Sequence, residues 1–522
     1  MNSVLRKITI LGGGSAGWLS AGIIAAEHLV NEKSGIEVTL IESSDIAPLG
    51  VGEGTWPSMR ATLKKMGISE TEFILECDAS FKQGSRFQAW INNHNDYYYH
   101  PFSLPVGHEK LDIAPFWLPY HEKISFADAV CVQSRLGDKN LAPKLISSGE
   151  YAFNANYAYH LDAGKFAVLL REHCVERLGV KHVVDHVTAV NSTSTGDIAS
   201  LTTKENGDIT GDLFIDCSGA ASVLLGKHFK VPFLSKKDVL FNDTALAAQA
   251  PYDSPESPIA SFTVSTAQTA GWIWDIGLQS RRGIGYTYSS AHTTDEQAEN
   301  ILRKYISPTP SMGVQNKDEI LVRKLSFEPG HREQFWYKNC VAIGVSAGFI
   351  EPLEASALAL IELSAKMVSD QLPADRRAMD IVARRFNEKF LYRWQKIVEF
   401  LKLHYVLSQR SDSDYWLDNR KLNTVPDSLQ DMLALWRYQS PNKYDFPQLE
   451  ELFPSASFQY VLYGMGFIPE LPERVKRKDS RDLANKLIEE NIQHTKQLMA
   501  VLPTNRGLVN KLKQYHRIGQ AL

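Results

Sequence analysis

The 522-residue chain has little cysteine: five residues, Cys77, Cys131, Cys174, Cys217 and Cys340, scattered with no C-x-x-C pair. That spacing excludes a disulfide framework or a zinc site as the organising principle, and no metal is expected. No apolar run reaches the ~18 residues that a membrane span needs. Neither charge dominates, with 56 Lys+Arg against 60 Asp+Glu and a net charge of −4. Nothing therefore marks an electrostatic nucleic-acid binder. Internal repeats and low-complexity tracts are missing as well. The first strand begins within about seven residues, which leaves no room for a signal peptide. These absences set the expectation of a reducing, cytoplasmic protein without a membrane or nucleic-acid partner. What remains is ordinary globular composition, 44% hydrophobic and 22% charged, long enough for more than one domain.

The most informative stretch is Gly12-Gly13-Gly14-Ser15-Ala16-Gly17-Trp18. It follows the apolar run Ile8 to Leu11, read as a buried strand, and precedes Leu19 to Leu29, read as a helix. Gly12, Gly14 and Gly17 fit G-x-G-x-x-G in its strand–turn–helix setting. The first glycine permits the tight turn, the second lets a pyrophosphate approach the backbone, and the third lets helix and strand pack closely. The helix N-terminus then faces the phosphate charge. A second strand, Glu37 to Ile41, ends at Glu42, a carboxylate able to accept hydrogen bonds from a ribose. Glu42 lies thirty residues beyond Gly12, further than the usual ~20. It can equally be a solvated strand-end carboxylate.

Further along, a glycine-rich turn spans Gly50 to Thr55. Residues 85–125, rich in aromatics and proline and including Trp90…Tyr97-Tyr98-Tyr99-His100-Pro101-Phe102, read as pocket wall or packed loop. Residues 163–178 have helical spacing. Val180–Val190, Ile198–Thr203, Leu213–Ile215, the alternating stretch 259–288 and Val341–Gly344 read as strands, and Ser356–Val368 as a buried helix. Beyond about 375 helical spacing dominates, with breaks near Pro426, Pro441, Pro454, Pro469 and Pro503. The pattern is an α/β nucleotide-binding module, 1–375, followed by a mainly helical module, 376–522.

Several segments together resemble the flavin-dependent tryptophan/indole halogenases, over most of the chain from Ile8 to about Pro469. Gly12 to Trp18 matches that family's FAD fingerprint, with Gly12, Gly14, Ser15, Ala16, Gly17 and Glu42 on the cofactor. The family's W-x-W-x-I-P motif reads Trp272-Ile273-Trp274-Asp275-Ile276-Gly277, with glycine in the proline's place. A tryptophan-rich core strand would look the same on its own. Phe81-Lys82-Gln83-Gly84 resembles the segment holding the catalytic lysine. Lys82 would hold hypohalous acid, by hydrogen bond or as a haloamine, beside one ring carbon. Lysine's usual place is the surface. Gly344 to Glu354 resembles the second flavin-contacting segment, with Gly344 against the cofactor and Glu354 as the catalytic glutamate. Glu354 would polarise the hypohalous acid, stabilise the positive ring intermediate or take its proton. It would also suit a helix N-terminal turn. The family's usual serine is here Ala355. Ser356 and Ala357 fall where backbone amides bind halide.

His100-Pro101-Phe102 resembles the H-x-F pair that sandwiches indole; a histidine there is as often structural. Tyr159 to Asp162 and Asp216 to Gly219 resemble scaffold around the FAD. His404-Tyr405…Asp412 and Leu452-Phe453…Gly466 also resemble family segments, but the groups that grip the amino-acid end of tryptophan are not assignable among them. The resemblance implies an α/β fold with an FAD-binding Rossmann-like module of the aromatic-hydroxylase type, an added β-sheet and the C-terminal helical module. It implies FADH2- and O2-dependent halogenation of an electron-rich arene, an indole or tryptophan derivative. Chloride or bromide would be co-substrate and a separate flavin reductase a partner; a homodimer is one expectation for its assembly. The competing functions are an aromatic monooxygenase and a non-catalytic flavin-binding redox protein.

Overall fold

The computed structural model describes residues 4–28, 30, 32, 35–45, 52–306, 320–472 and 478–521. The expected helix end at Leu29 and the turn residues Gly50 and Val51 lie outside them.

The glycine-rich turn joins strand β1 (Lys7–Leu11) to helix α1 (Ser15–Glu27), and the chain returns as β2 (Glu37–Glu42). β1 lies between β2 and Leu213–Asp216, both parallel to it, with Ile8 opposite Val38 and Leu213. Lys181–Val184 extends the sheet beyond β2, and Cys340–Ala342 and Trp336–Tyr337 complete the other side. Its central strands are buried apolar runs, as a parallel sheet covered on both faces requires. This is the Rossmann-like core.

Two further sheets place the candidate site. In the small one, β3 (Gly52–Gly54) and β4 (Ser80–Lys82) flank β7 (Ala158–Asp162). In the seven-stranded one, β5 (Gly84–Gln88) and β6 (Tyr97–Pro101) form one edge. They continue through β8 (Thr263–Gln268), β9 (Gly271–Gly277) and β10 (Arg281–Tyr288).

Helix α2 (Ser356–Asp370) packs on α1, and α3 (Arg376–Val406) opens the helical C-terminal region. That region ends in α4 (Lys478–Val501) and α5 (Asn505–Ala521).

Two expectations need correction. Tyr97 to Pro101 is a strand, not loop: it pairs with β5, with His100 opposite Ser85. Tyr98 to Pro101 are buried on both faces, so no polar alternation marks them, although aromatic residues suit strands. Val180–Val190 is also two strands in different sheets, Lys181–Val184 and Val187–Ser192. The break falls at Asp185, whose carboxylate accepts from the Glu205 and Asn206 backbone N–H groups and draws the chain across.

Candidate active site

The turn glycines have distinct steric reasons. Gly12 has φ +117°, and a Cβ there would lie 2.2 Å from the Cys217 carbonyl oxygen. A Cβ on Gly17 would meet the Gly12 carbonyl at 1.8 Å. Above Gly14 nothing lies within 4 Å, so this face of the turn is open. The Glu42 carboxylate rests over Gly13 and accepts a 2.7 Å hydrogen bond from His182 Nε2. The 344–356 segment meets the same turn: a Cβ on Gly344 would lie 2.8 Å from that of Ala16.

Lys82 ends β4 and is fully buried. Its Nζ has no hydrogen-bond partner among the described residues. It lies 5.3 Å from the centre of the half-buried Phe102 ring. A Cβ on Gly54 would be 2.8 Å from this amine and 3.3 Å from Ala355 Cβ, so glycine there leaves room for both. Burial pushes the lysine down to about 8, against the opposing charge of Glu354.

Glu354 is buried and sits in the left-handed region, φ +65°, as does Ala355 at φ +54°. Two consecutive non-glycine residues in that conformation are strained, a condition that clusters at functional sites. The turn aims the carboxylate inward. Oε1 accepts from His100 Nδ1 at 2.7 Å and lies 3.5 Å from His404 Nε2, while Oε2 accepts from Ser85 Oγ at 3.2 Å. Burial alone would push this carboxyl up. The charge and hydrogen bonds of His100 and His404 outweigh burial and hold it well below the usual carboxylate range. The Trp56 indole N–H caps the Glu354 carbonyl at 2.9 Å.

Ser356 and Ala357 open helix α2, where backbone N–H groups have no intrahelical acceptor. They border a cavity of about 60 Å³ together with Gly344, Val345, Gly348 and Pro352. Neither Lys82 nor Glu354 lines it. The 354–355 turn leads into α2, and Ala355 shares the space beside Gly54 with the Lys82 amine.

The sequence model of the tryptophan halogenase family matches residues 7–480. A tryptophan 6-halogenase of Streptomyces toxytricini is 34% identical over 484 residues, covering 88% of this chain and 90% of its own. The solved tryptophan halogenase of Shewanella frigidimarina superposes with a TM-score of 0.94 at 54% identity, covering 98% of each chain. A tryptophan C-6 flavin-dependent halogenase from taromycin biosynthesis gives 0.89 at 31%, over 97% of this chain and 100% of its own. The chain belongs to the tryptophan halogenase family.

As a flavin-dependent halogenase it needs a place for FAD, and the turn geometry fits one. Three glycines either have no room for a side chain or leave open space at the end of α1, and the Glu42 carboxylate stands at the adjoining strand end. The hydroxylase and carrier alternatives are not favoured by these relatives. No described helix is long and apolar enough to cross a membrane.

In this halogenase the tryptophan motif lies on a buried strand. Trp272, Trp274 and Ile276 alternate along β9 and are all buried. The Trp272 indole N–H donates to Glu351 Oε2 at 2.6 Å, and that oxygen also accepts from Tyr405 OH and Asn242 Nδ2. Trp274 packs over Gly285, where a Cβ would collide with its ring at 2.0 Å. Ile276 lies against Gly52, two residues before Gly54 on the strand that makes room for Lys82.

Most of the expected residues thus converge in two groups. Gly12 to Gly17, Glu42 and Gly344 surround the turn at α1; Lys82, Phe102 and His100 gather with Glu354 at the 354–355 turn. His100 is placed as Glu354's partner, with Phe400, Phe453 and Tyr460 rings 5.6–6.4 Å away. Sequence reading missed Ser85 and Trp56 and gave His404 no role. His404 is held by a 2.6 Å hydrogen bond between Nδ1 and Tyr98 OH on a buried face of α3, and the family resemblance of His404-Tyr405 was its signal in the sequence.

Proposed function

We propose that this enzyme halogenates the indole ring of tryptophan or of a simpler indole, with Lys82 delivering the halogen and Glu354 taking the ring proton. Bound FAD, reduced by a separate reductase, would supply the oxidising chemistry that converts chloride or bromide and dioxygen into hypohalous acid. Gly12, Gly14, Ser15, Ala16, Gly17, Glu42 and Gly344 would hold the cofactor. The first backbone amides of α2, at Ser356 and Ala357, would attract the halide, as a helix N-terminus suits an anion. In this reading residues 1–375 generate the oxidant and residues 376–522 close over the arene.

The observation that carries the proposal is a buried amine, unpartnered among the described residues, facing an aromatic ring beside the strained 354–355 turn. A buried amine without a partner has capacity for a ligand. Hypohalous acid would hydrogen-bond to the Lys82 ammonium. As the ring carbon bonds to halogen, the halogen–oxygen bond breaks and the departing oxygen takes a proton from Lys82, leaving as water. The ring, now positive, loses its proton to Glu354. A lysine near 8 suits proton donation close to neutrality. A low carboxyl keeps Glu354 ionised and able both to stabilise the cation and to accept the proton.

The test offers tryptophan and indole separately, with bromide or chloride, FAD, a flavin reductase, NADH and oxygen, and reads products by mass spectrometry. A halogen isotope pattern on either arene supports the reading and ranks the substrates. Oxygenated arene in halide-free buffer, with no halogenated product when halide is present, would contradict it.

A further inference from the structure

Among the described residues no hydrogen bond holds the Lys82 amine, so its aim depends on the strand that carries it. β4 is three residues long and an edge strand, paired on one side with β7, where Phe81 stands opposite Tyr159. On the other edge a single side chain takes the place of a strand. The Asn505 carboxamide donates through Nδ2 to the Phe81 carbonyl at 2.9 Å, and its Oδ1 accepts from the Phe81 N–H at 3.3 Å. These are the two bonds that a neighbouring strand would make. Asn505 is fully buried, although it comes from the start of α5, 424 residues further along.

Asn505 is itself fixed. Its backbone N–H donates to the Asn140 carbonyl at 2.8 Å, Ala142 N–H donates to the Pro503 carbonyl at 2.8 Å, and Thr504 bridges Leu141. The same 140–142 segment holds the residue after the lysine: Gln83 Nε2 donates to the Leu141 carbonyl at 2.8 Å. Gln83 N–H is taken by the Ser261 carbonyl at 2.7 Å. Phe81 is thereby tied to the start of α5, and Gln83 to the 140–142 segment that holds the turn between α4 and α5.

We propose that Asn505 is a positioning residue, which sets the aim of Lys82 by completing the open edge of its strand, so that the C-terminal helices govern transfer of halogen to the arene. The inference rests on the reading of Lys82 as the delivering amine. Its consequence is a partition: oxidant formation at the flavin side is unaffected, while its capture by the arene is lost. A small displacement of a positioned group can cost about 100-fold in rate.

Asn505→Ala removes both bonds. Asn505→Asp keeps the acceptor for Phe81 N–H, loses the donor, and decides the matter if the alanine variant does not accumulate folded. Arene product and hypohalous acid captured by an added 1,3-diketone are measured in the same turnover, with KM for the arene and the thermal midpoint. Both variants are expected to lose roughly 10- to 100-fold in arene halogenation. Total oxidant and KM for the arene stay within about twofold, with the missing halogen in the trap. Arene product and trapped oxidant falling together would make Asn505 merely structural and overturn the proposal, as would unchanged arene product. Lys82→Ala runs alongside. Should it halogenate normally, the reading of Lys82 falls and takes this inference with it. Should it alone lose activity, only the role of Asn505 falls.

Discussion

His100 Nδ1 donates to Glu354 Oε1 at 2.7 Å, both side chains buried, across 254 residues of sequence. The pair sets which state the carboxyl occupies. Burial pushes Glu354 up, and His100 is the larger of the two histidine influences that pull it down. His100→Phe leaves burial less opposed, so the carboxyl rises. Activity that requires the ionised carboxylate is present above its pKa and lost as pH falls through it. The acid limb of the kcat/KM profile should therefore move to higher pH. An acid limb in its original place would separate His100 from the ionisation of Glu354.

Glu354→Gln keeps the shape and removes the base. Halogenation should fall about 100- to 10,000-fold, the range general for a positioned acid–base group. FAD affinity should change little, since the glycine turn and Gly344 are untouched. Titration of flavin fluorescence together with turnover checks both halves, and a variant that halogenates normally would remove Glu354 from the mechanism.

Lys82 makes the fold less stable than it could be. Its ordinary value of 10.5 drops to about 8 in the folded protein, so between those values the unfolded chain binds more protons. The penalty is complete below about 8 and disappears as pH rises toward 10.5. Lys82→Met should raise unfolding stability by roughly 3 kcal/mol near neutrality, a gain that shrinks as the pH approaches 10. Denaturant melts across pH 6.5–10 test this; a variant no more stable at any pH would show that the amine is not buried as charge.

Part of this was legible in the chain because part of it is local sterics. Gly14 and Gly17 are read from spacing because one faces an opening and the other meets Gly12 in the same turn, while Gly12 also answers the distant Cys217 carbonyl. Lys82 and Glu354 were reached by resemblance of short segments, and the structure brings them to one place. The links between segments had no local signature. Nothing in the sequence pairs His100 with Glu354, or Phe81 with Asn505, because such bonds depend on how sheets and helices stack. The β6 strand escaped notice for a related reason: buried on both faces, it lacks the alternation by which a half-exposed strand is recognised. At Gly277, which departs from the family motif, a Cβ would lie 3.0 Å from Ile259 Cγ2 and 3.1 Å from the Tyr252 hydroxyl.

Trp272→Phe keeps an aromatic ring and removes the indole N–H that donates to Glu351 Oε2. Tyr405 and Asn242 still serve that oxygen, so the loss should be about 1–2 kcal/mol of stability, the cost of one hydrogen bond to a buried acid. Equilibrium unfolding measures it. A neutral substitution would place the motif's importance in ring packing alone.

The most direct test of the account is Lys82→Ala in a single assay that reads both fates of the halogen. With FAD, reductase, NADH, oxygen, bromide, tryptophan and an added 1,3-diketone as trap, mass spectrometry counts halogenated arene and halogenated trap. Arene product is expected to disappear while FAD still binds and the trap still collects halogen. Arene halogenation at a near-normal rate would contradict that expectation.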